Sequence, residues 1–138
     1  MKLSLRACLI WTLIPLLLVS CGKKEGYEIR GDKVIWNSWQ GDGLFGKWSE
    51  AELTDAAGFV ILQPQGYAKN ATSVYHNGGR IREADAATFQ MFDKRDDLAK
   101  DAKQVYYHGA VIEGADPATY AATEMFELGR DKKDFYLR

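Results

Sequence analysis

Ser73-Val-Tyr-His-Asn-Gly-Gly-Arg-Ile-Arg-Glu-Ala-Asp-Ala-Ala-Thr-Phe89 recurs later in the chain as Gln104-Val-Tyr-Tyr-His-Gly-Ala-Val-Ile-Glu-Gly-Ala-Asp-Pro-Ala-Thr-Tyr120. The two stretches align without a gap at an offset of 31 residues. Periods of this size are typical of proteins built from copies of one supersecondary unit. The chain is therefore expected to fold as an array of similar units.

The phase of the repeat extends over the rest of the chain. A Tyr or Leu lies seven residues before a Val or Phe at four places: Tyr27/Val34, Tyr67/Val74, Leu98/Val105 and Leu128/Phe135. A polar stretch suited to a turn lies within each pair, and short β-rich runs around such turns are typical of hairpins. The pattern predicts four β-hairpins.

A second motif recurs three times, as Asp55-Ala-Ala-Gly-Phe59, Asp85-Ala-Ala-Thr-Phe89 and Asp116-Pro-Ala-Thr-Tyr120. Asp before Ala or Pro is a favourable start for a helix. These motifs predict three short helices between the hairpins. The expected fold class is α+β, an antiparallel repeat sheet of about four hairpins with short helices over it. The alternative is a small, partly closed β-barrel or a solenoid of the same units.

The first 20 residues have the composition of a targeting segment. Lys2 and Arg6 precede an apolar run of about 13 residues, too short for a bilayer core that needs about 20. The run ends in Leu18-Val19-Ser20-Cys21, which resembles the cleavage site of type II (lipoprotein) signal peptides. The resemblance implies lipidation of Cys21 and cleavage before it.

This leader sets the expected location and domain boundaries. Gly22, where inner-membrane retention signals of the enterobacterial type carry Asp, favours the outer membrane of a cell envelope. Residues 1–20 are then the signal peptide, 21–26 the lipidated anchor and spacer, and 27–138 a single repeat domain. Two or three acyl chains give stable anchoring where one is marginal.

Charge and cysteine content exclude several classes of function. Without Lys2 and Arg6 the chain has 16 basic and 19 acidic side chains, and such a weakly acidic balance argues against nucleic-acid binding. Cys8 lies in the leader and Cys21 is the predicted anchor, so no cysteine remains for a disulfide or metal site. His76 and His108 alone do not make a zinc site. We expect no cofactor and no metal.

The repeat units also resemble a known family. Asp131-Lys-Lys-Asp-Phe-Tyr136, Lys100-Asp-Ala-Lys-Gln-Val-Tyr-Tyr107 and Gly114-Ala-Asp-Pro-Ala-Thr-Tyr120 are similar to the motifs of the DKNYY family of bacterial repeat lipoproteins. The resemblance extends over about Tyr27 to Arg138. It implies a repeat fold and an envelope location, and it transfers no catalytic residue.

The first unit carries ten additional residues, within Ser38-Trp-Gln-Gly-Asp-Gly-Leu-Phe-Gly-Lys-Trp48. Insertions in repeat proteins commonly form loops on the binding face. Trp39, Phe45 and Trp48 are therefore the candidate ligand-contacting residues, since aromatic rings stack on sugars, lipids or side chains. In the other interpretation these rings cover the open edge of the first hairpin, as terminal repeats require.

No catalytic constellation is evident in the sequence. Helix capping accounts for Asp55, Asp85 and Asp116, and no nucleophile motif is present. The leading hypothesis is a membrane-anchored, non-enzymatic binding module with an envelope protein or glycan as partner. The alternative is an envelope hydrolase or accessory that acts on glycans through Glu50 and Glu52, near the additional residues.

Overall fold

A computed structural model describes residues 24–42, 45–63, 66–93, 95–123 and 128–137. The predicted signal peptide, residues 1–20, and the predicted lipidation site Cys21 lie outside the described residues. In the described part of the chain, no helix has the length and apolar character needed to cross a membrane.

The chain forms four small antiparallel sheets in sequence order. Sheet A contains β1 Gly26–Arg30, β2 Lys33–Asp42 and β3 Phe45–Asp55. Sheet B contains β4 Val60–Ile61, β5 Tyr67–Lys69, β6 Val74–His76 and β7 Gly79–Ile81. Sheet C contains β8 Gln90–Met91, β9 Leu98–Lys100, β10 Val105–Tyr107 and β11 Ala110–Val111. Sheet D contains β12 Ala121–Ala122, β13 Leu128–Arg130 and β14 Phe135–Leu137.

The α+β prediction is wrong, because the fold is all-β and none of the described residues is helical. The predicted single sheet is four separate sheets, and none of them closes into a barrel. The repeat itself is visible in the backbone. Sheets B and C each have four strands in the same sequential order, with β5 and β9 starting 31 residues apart.

The predicted hairpins correspond to four strand pairs, β1–β2, β5–β6, β9–β10 and β13–β14. In the second unit, Tyr67 pairs with His76 and Lys69 with Val74. The side chain of Asn70 stabilises the intervening turn, because its Oδ1 accepts hydrogen bonds from the amides of Thr72 and Ser73. The polar residues between the strands thus act as the sequence pattern predicts.

The segments predicted as helices are instead short joints between successive sheets. In Asp85–Phe89 the aspartate does act as a cap, accepting hydrogen bonds from the Ala87 amide and the Thr88 hydroxyl. The turn closes once, with the Thr88 amide 3.3 Å from the Asp85 carbonyl oxygen. Gln90 then pairs with Lys100 in the next sheet, which ends the turn. One turn of helix is costly to nucleate, and strand pairing prevails here.

Each of the two later joints is held from both sides by charged groups. Lys69 of sheet B donates hydrogen bonds to the carbonyl oxygens of Ala86 and Phe89, at 2.8 and 2.9 Å. From sheet C, Asp101 Oδ2 accepts a hydrogen bond from the Asp85 amide at 2.8 Å. The next joint repeats this arrangement with residues 30 or 31 positions further on, Lys100 to the Pro117 carbonyl and the Asp116 amide to Asp131.

Aromatic side chains fill the space between the sheets. Phe89, at the end of its joint, lies 5.5 Å from Tyr67 of sheet B and 5.6 Å from Tyr106 of sheet C, measured between ring centroids. Phe59 lies in the same way between Tyr27 and Tyr75. The aligned tyrosines 75 and 106 are buried, so they form part of the core rather than an exposed ladder.

The additional residues of the first unit lengthen two strands rather than form a loop. β2 and β3 pair along their length, from Lys33 with Asp55 to Asp42 with Phe45. A bulge next to Val34 and Ile35 places Leu53 against the core cluster of Val34 and Phe59. The predicted loop is thus a long hairpin, because backbone pairing extends outward from the core.

Candidate functional site

The distal half of the β2–β3 hairpin projects from the body of the protein. β1 pairs with β2 only as far as Gly26, which lies opposite Asn37. Beyond that point residues 38–42 pair only with residues 45–49 of β3. We call this two-stranded part the projecting hairpin. It carries all three aromatic residues that the sequence singled out.

Alternation along β2 assigns the side chains to two faces. Val34 is buried in the core and Trp36 lies against Tyr27, with 4.8 Å between ring centroids, so the face that carries Trp36 is the inner face. Asn37 and Trp39 lie on the opposite, outer face. Trp39 pairs in register with Trp48, so both tryptophans share the outer face.

Trp39 and Trp48 form an edge-to-face pair, with ring centroids 5.6 Å apart and planes at 67°. A glycine makes this packing feasible. A Cβ atom at Gly46 would lie 2.6 Å from the ring of Trp39, so the indole lies directly over the backbone there. Both tryptophans remain partly exposed. The tryptophan pair is therefore a preformed aromatic surface on a strand scaffold.

Phe45 does not join the tryptophan pair. It lies opposite Asp42 in the register, which places it on the other face of the projecting hairpin, and 88% of its surface is exposed. The structure thus brings together two of the three predicted binding residues and separates the third. The edge of β2 is covered by the backbone of β3 and not by the aromatic rings.

Next to the tryptophan pair, polar groups occupy the outer face. Asn37 is 3% exposed and donates a hydrogen bond from Nδ2 to Glu28 at 2.8 Å. Its Oδ1 is buried and has no hydrogen-bond partner among the described residues. Arg30 forms ion pairs with Glu28 and Glu50, at 3.0 and 3.3 Å. The hydrogen bonds from Arg30 and Asn37 hold the pKa of Glu28 below its usual range. Sequence reasoning missed Asn37, although its spacing from Trp39 places it on the same face.

A shallow groove of roughly 450 Å³ runs along the base of the projecting hairpin. It is lined by the following residues: Glu25, Trp36, Ser38, Trp39, Gln40 and Asn77. The groove connects the first sheet to the turn of the second unit, where Trp36 lies over Gly78. It offers amide, hydroxyl and indole groups to a ligand and is open to solvent.

The carboxylates of the hydrolase hypothesis are engaged in ion pairs. Glu50 contacts Arg30, and Glu52 lies 3.0 Å from Lys33. No group of three or more His, Cys, Asp or Glu side chains that could hold a metal ion occurs within the described ranges. The hypothesis of carboxylate chemistry on glycans remains a prediction. Replacing Glu50 or Glu52 by Gln and measuring glycan cleavage would test it.

Asp101 is the most extensively hydrogen-bonded carboxylate among the described residues, and its role is structural. Oδ1 accepts hydrogen bonds from the amides of Lys103 and Gln104, and Oδ2 accepts them from the Asp85 amide and the Tyr106 hydroxyl. Burial alone raises the pKa of Asp101, but these four hydrogen bonds outweigh it and hold the pKa below its usual range. Asp131 repeats the arrangement with Tyr136. The Asp–x₄–Tyr spacing in both units was the available signal for this role.

The two histidines approach each other across the boundary between sheets B and C. Their ring centroids are 6.0 Å apart, and the ring of His76 lies over Gly109 and 4.6 Å from Tyr67. Burial, and secondarily the charge of His108, lower the pKa of His76. The contact that the alignment allowed is thus present, as part of the packing between units.

Acidification is expected to destabilise the boundary between sheets B and C. The folded pKa of His76 lies below the unfolded value of about 6.5, so the folded state binds fewer protons and stability falls as the pH decreases through 6.5. We expect the melting temperature to fall by a few degrees between pH 7.5 and 5.5. His76→Tyr, which copies the equivalent Tyr107, should reduce this fall. An equal fall in both proteins would contradict the assignment.

The geometry defines a class of protein before any comparison is made. It is an all-β repeat protein with four sheet units and one projecting hairpin that carries an exposed aromatic pair. The sequence pattern of the DKNYY family matches residues 24–138, and the chain belongs to that family. No curated protein and no solved structure matches the chain.

Proposed function

We propose that the protein is a lipid-anchored binding module of the cell envelope, without enzymatic activity, that engages its partner through Trp39 and Trp48. The observation that carries the proposal is the tryptophan pair itself. It is preformed, partly exposed and located on strands that project beyond the core. Removing such rings from a core would create a cavity, whereas here they are available to a ligand.

The composition of the outer face favours a polar ligand with an apolar side. The indole rings offer stacking surface, and the buried Oδ1 of Asn37 is an acceptor without a partner among the described residues. A buried acceptor gains from a hydrogen-bond donor brought by a ligand. Sugar units of envelope glycans and extended protein segments both combine a donor with an apolar face. A glycan or an envelope protein is therefore the proposed partner.

The anchor is proposed from the lipidation motif at Cys21, with the outer membrane favoured. We expect the mature protein to begin at an acylated Cys21 and to float with vesicles, and we expect Cys21→Ser to remain in the soluble fraction. Mass spectrometry of the amino-terminal peptide measures the modification directly. An unmodified Cys21 within an uncleaved chain would contradict the anchor while leaving the binding surface open to test.

The indole N–H signals of the mature protein provide a test of the binding surface. After removal of the leader three tryptophans remain, Trp36, Trp39 and Trp48. Titration with peptidoglycan fragments or with an envelope extract is expected to shift the signals of Trp39 and Trp48. Trp36 faces inward against Tyr27 and serves as the internal control. A shift confined to Trp36, or to none of the three, would place the binding surface elsewhere.

A further inference from the structure

Phe45 at the tip of the projecting hairpin has no role in the tryptophan pair, yet it is 88% exposed. We propose that this tip contacts the lipid bilayer and gives the domain a second attachment beside the acyl chains. The inference rests on the proposed lipid anchor at Cys21. Its consequence is a fixed orientation of the domain, with the tryptophan pair held close above the membrane surface.

The strand directions place the tip and the anchor at the same end of the domain. β1 and β2 are antiparallel, and Gly26, where the chain enters sheet A, lies opposite Asn37. Followed backwards from Gly26, the chain direction is the direction in which residues 38–42 project. Glu25 lines the groove together with Ser38 and Trp39, so the chain preceding β1 lies beside the projecting hairpin.

The two lengths match. The projecting part of β2, from Asn37 to Asp42, spans five residue steps, or about 17 Å at about 3.4 Å per residue. The spacer from Cys21 to Gly26 also spans five steps and reaches at most about 18 Å. A fully extended spacer brings the tip level with Cys21. Any more compact spacer lowers the tip toward the acyl chains.

The chemistry of the hairpin suits a membrane interface. Aromatic residues are enriched at the level of the lipid headgroups, where one side of the ring is apolar and the other side wet. Phe45 is the outermost described aromatic residue of the hairpin, and Trp39 and Trp48 follow three register positions behind it. Exposed Lys24 and Lys47 lie close to this end and can approach lipid phosphates.

A single cysteine at the tip tests the proposal. With Cys21 acylated, the mature chain has no other thiol, so Phe45→Cys can be labelled with a nitroxide. The matched control is Asp32→Cys, in the exposed turn at the other end of sheet A. Both lipidated proteins are placed in vesicles of phosphatidylethanolamine and phosphatidylglycerol. The spin label's collision rates with oxygen and with a water-soluble nickel chelate are then measured.

We expect vesicle binding to reduce nickel collisions of the label at position 45 several-fold and to raise its oxygen collisions. The label at position 32 should stay unchanged. If the proteins float with the vesicles and both labels remain equally accessible to nickel, the membrane contact is refuted while the anchor stands. Phe45 would then be left for a protein partner. If the proteins do not float, the anchor itself fails, and the membrane contact fails with it.

Discussion

Replacing Phe89 with alanine is expected to lower the free energy of unfolding by about 3–5 kcal/mol. Phe89 is 3% exposed and packs between Tyr67 and Tyr106, which belong to successive sheets. The sheets are small and meet through such rings, so the resulting cavity would lie in the contact between two units. The loss is a large part of the 5–15 kcal/mol that typically stabilises a domain. Urea denaturation followed by tryptophan fluorescence measures it.

Phe135→Ala provides the matched control, because Phe135 is 66% exposed and loses the same atoms. Its expected effect is below about 0.5 kcal/mol. Equal losses in the two variants would contradict the assignment of the joint aromatics to the core. A reduced dependence of the unfolding free energy on urea in Phe89→Ala would indicate that the units no longer unfold together.

Asp101→Ala is expected to cost about 2–4 kcal/mol, the second large effect. The side chain is 3% exposed residue surface and accepts four hydrogen bonds, one of them from the joint of the preceding unit. Its removal leaves buried N–H and O–H donors without acceptors, and such groups are expensive to desolvate. Calorimetric or urea unfolding at neutral pH measures the loss.

Asp101→Asn separates the two functions of the carboxylate. The amide oxygen can still accept the turn hydrogen bonds at Oδ1, but an NH₂ group would face the Asp85 amide, which is itself a donor. We therefore expect a loss smaller than that of Asp101→Ala. Asp96→Asn, at an exposed position of the same unit, should change little. A loss in Asp101→Asn as small as in Asp96→Asn would show that the contact between units contributes nothing.

Local sequence patterns predicted the strands and turns of this fold but not the joints. The repeat phase predicted four strand pairs, and the turn residues between them act locally through hydrogen bonds such as those of Asn70. The Asp-Ala-Ala motifs carry a genuine capping signal, which is why they resemble helix starts. What ends the turn after Asp85 is tertiary: Lys69 binds the joint carbonyls, and Phe89 enters the core.

The candidate site was predicted in composition but not in geometry. The excess length of the first unit singled out Trp39, Phe45 and Trp48, since insertion is visible once the period is known. Whether the added residues form a loop or extend two strands depends on pairing between β2 and β3. That register decides that the two tryptophans share a face and that Phe45 does not. The buried acceptor of Asn37 has no signature in one sequence, because it depends on burial.

The proposed division between scaffold and binding surface is tested most directly by affinity capture from the protein's own envelope. The lipidated protein is compared with a Trp39→Ala/Trp48→Ala variant whose unfolding free energy has been measured. We expect the unaltered protein to capture a partner that the folded variant fails to capture. Equal capture by both proteins would contradict the account and move the binding surface away from the projecting hairpin. Loss of folding in the variant would likewise contradict it, because the tryptophan pair would then be part of the scaffold.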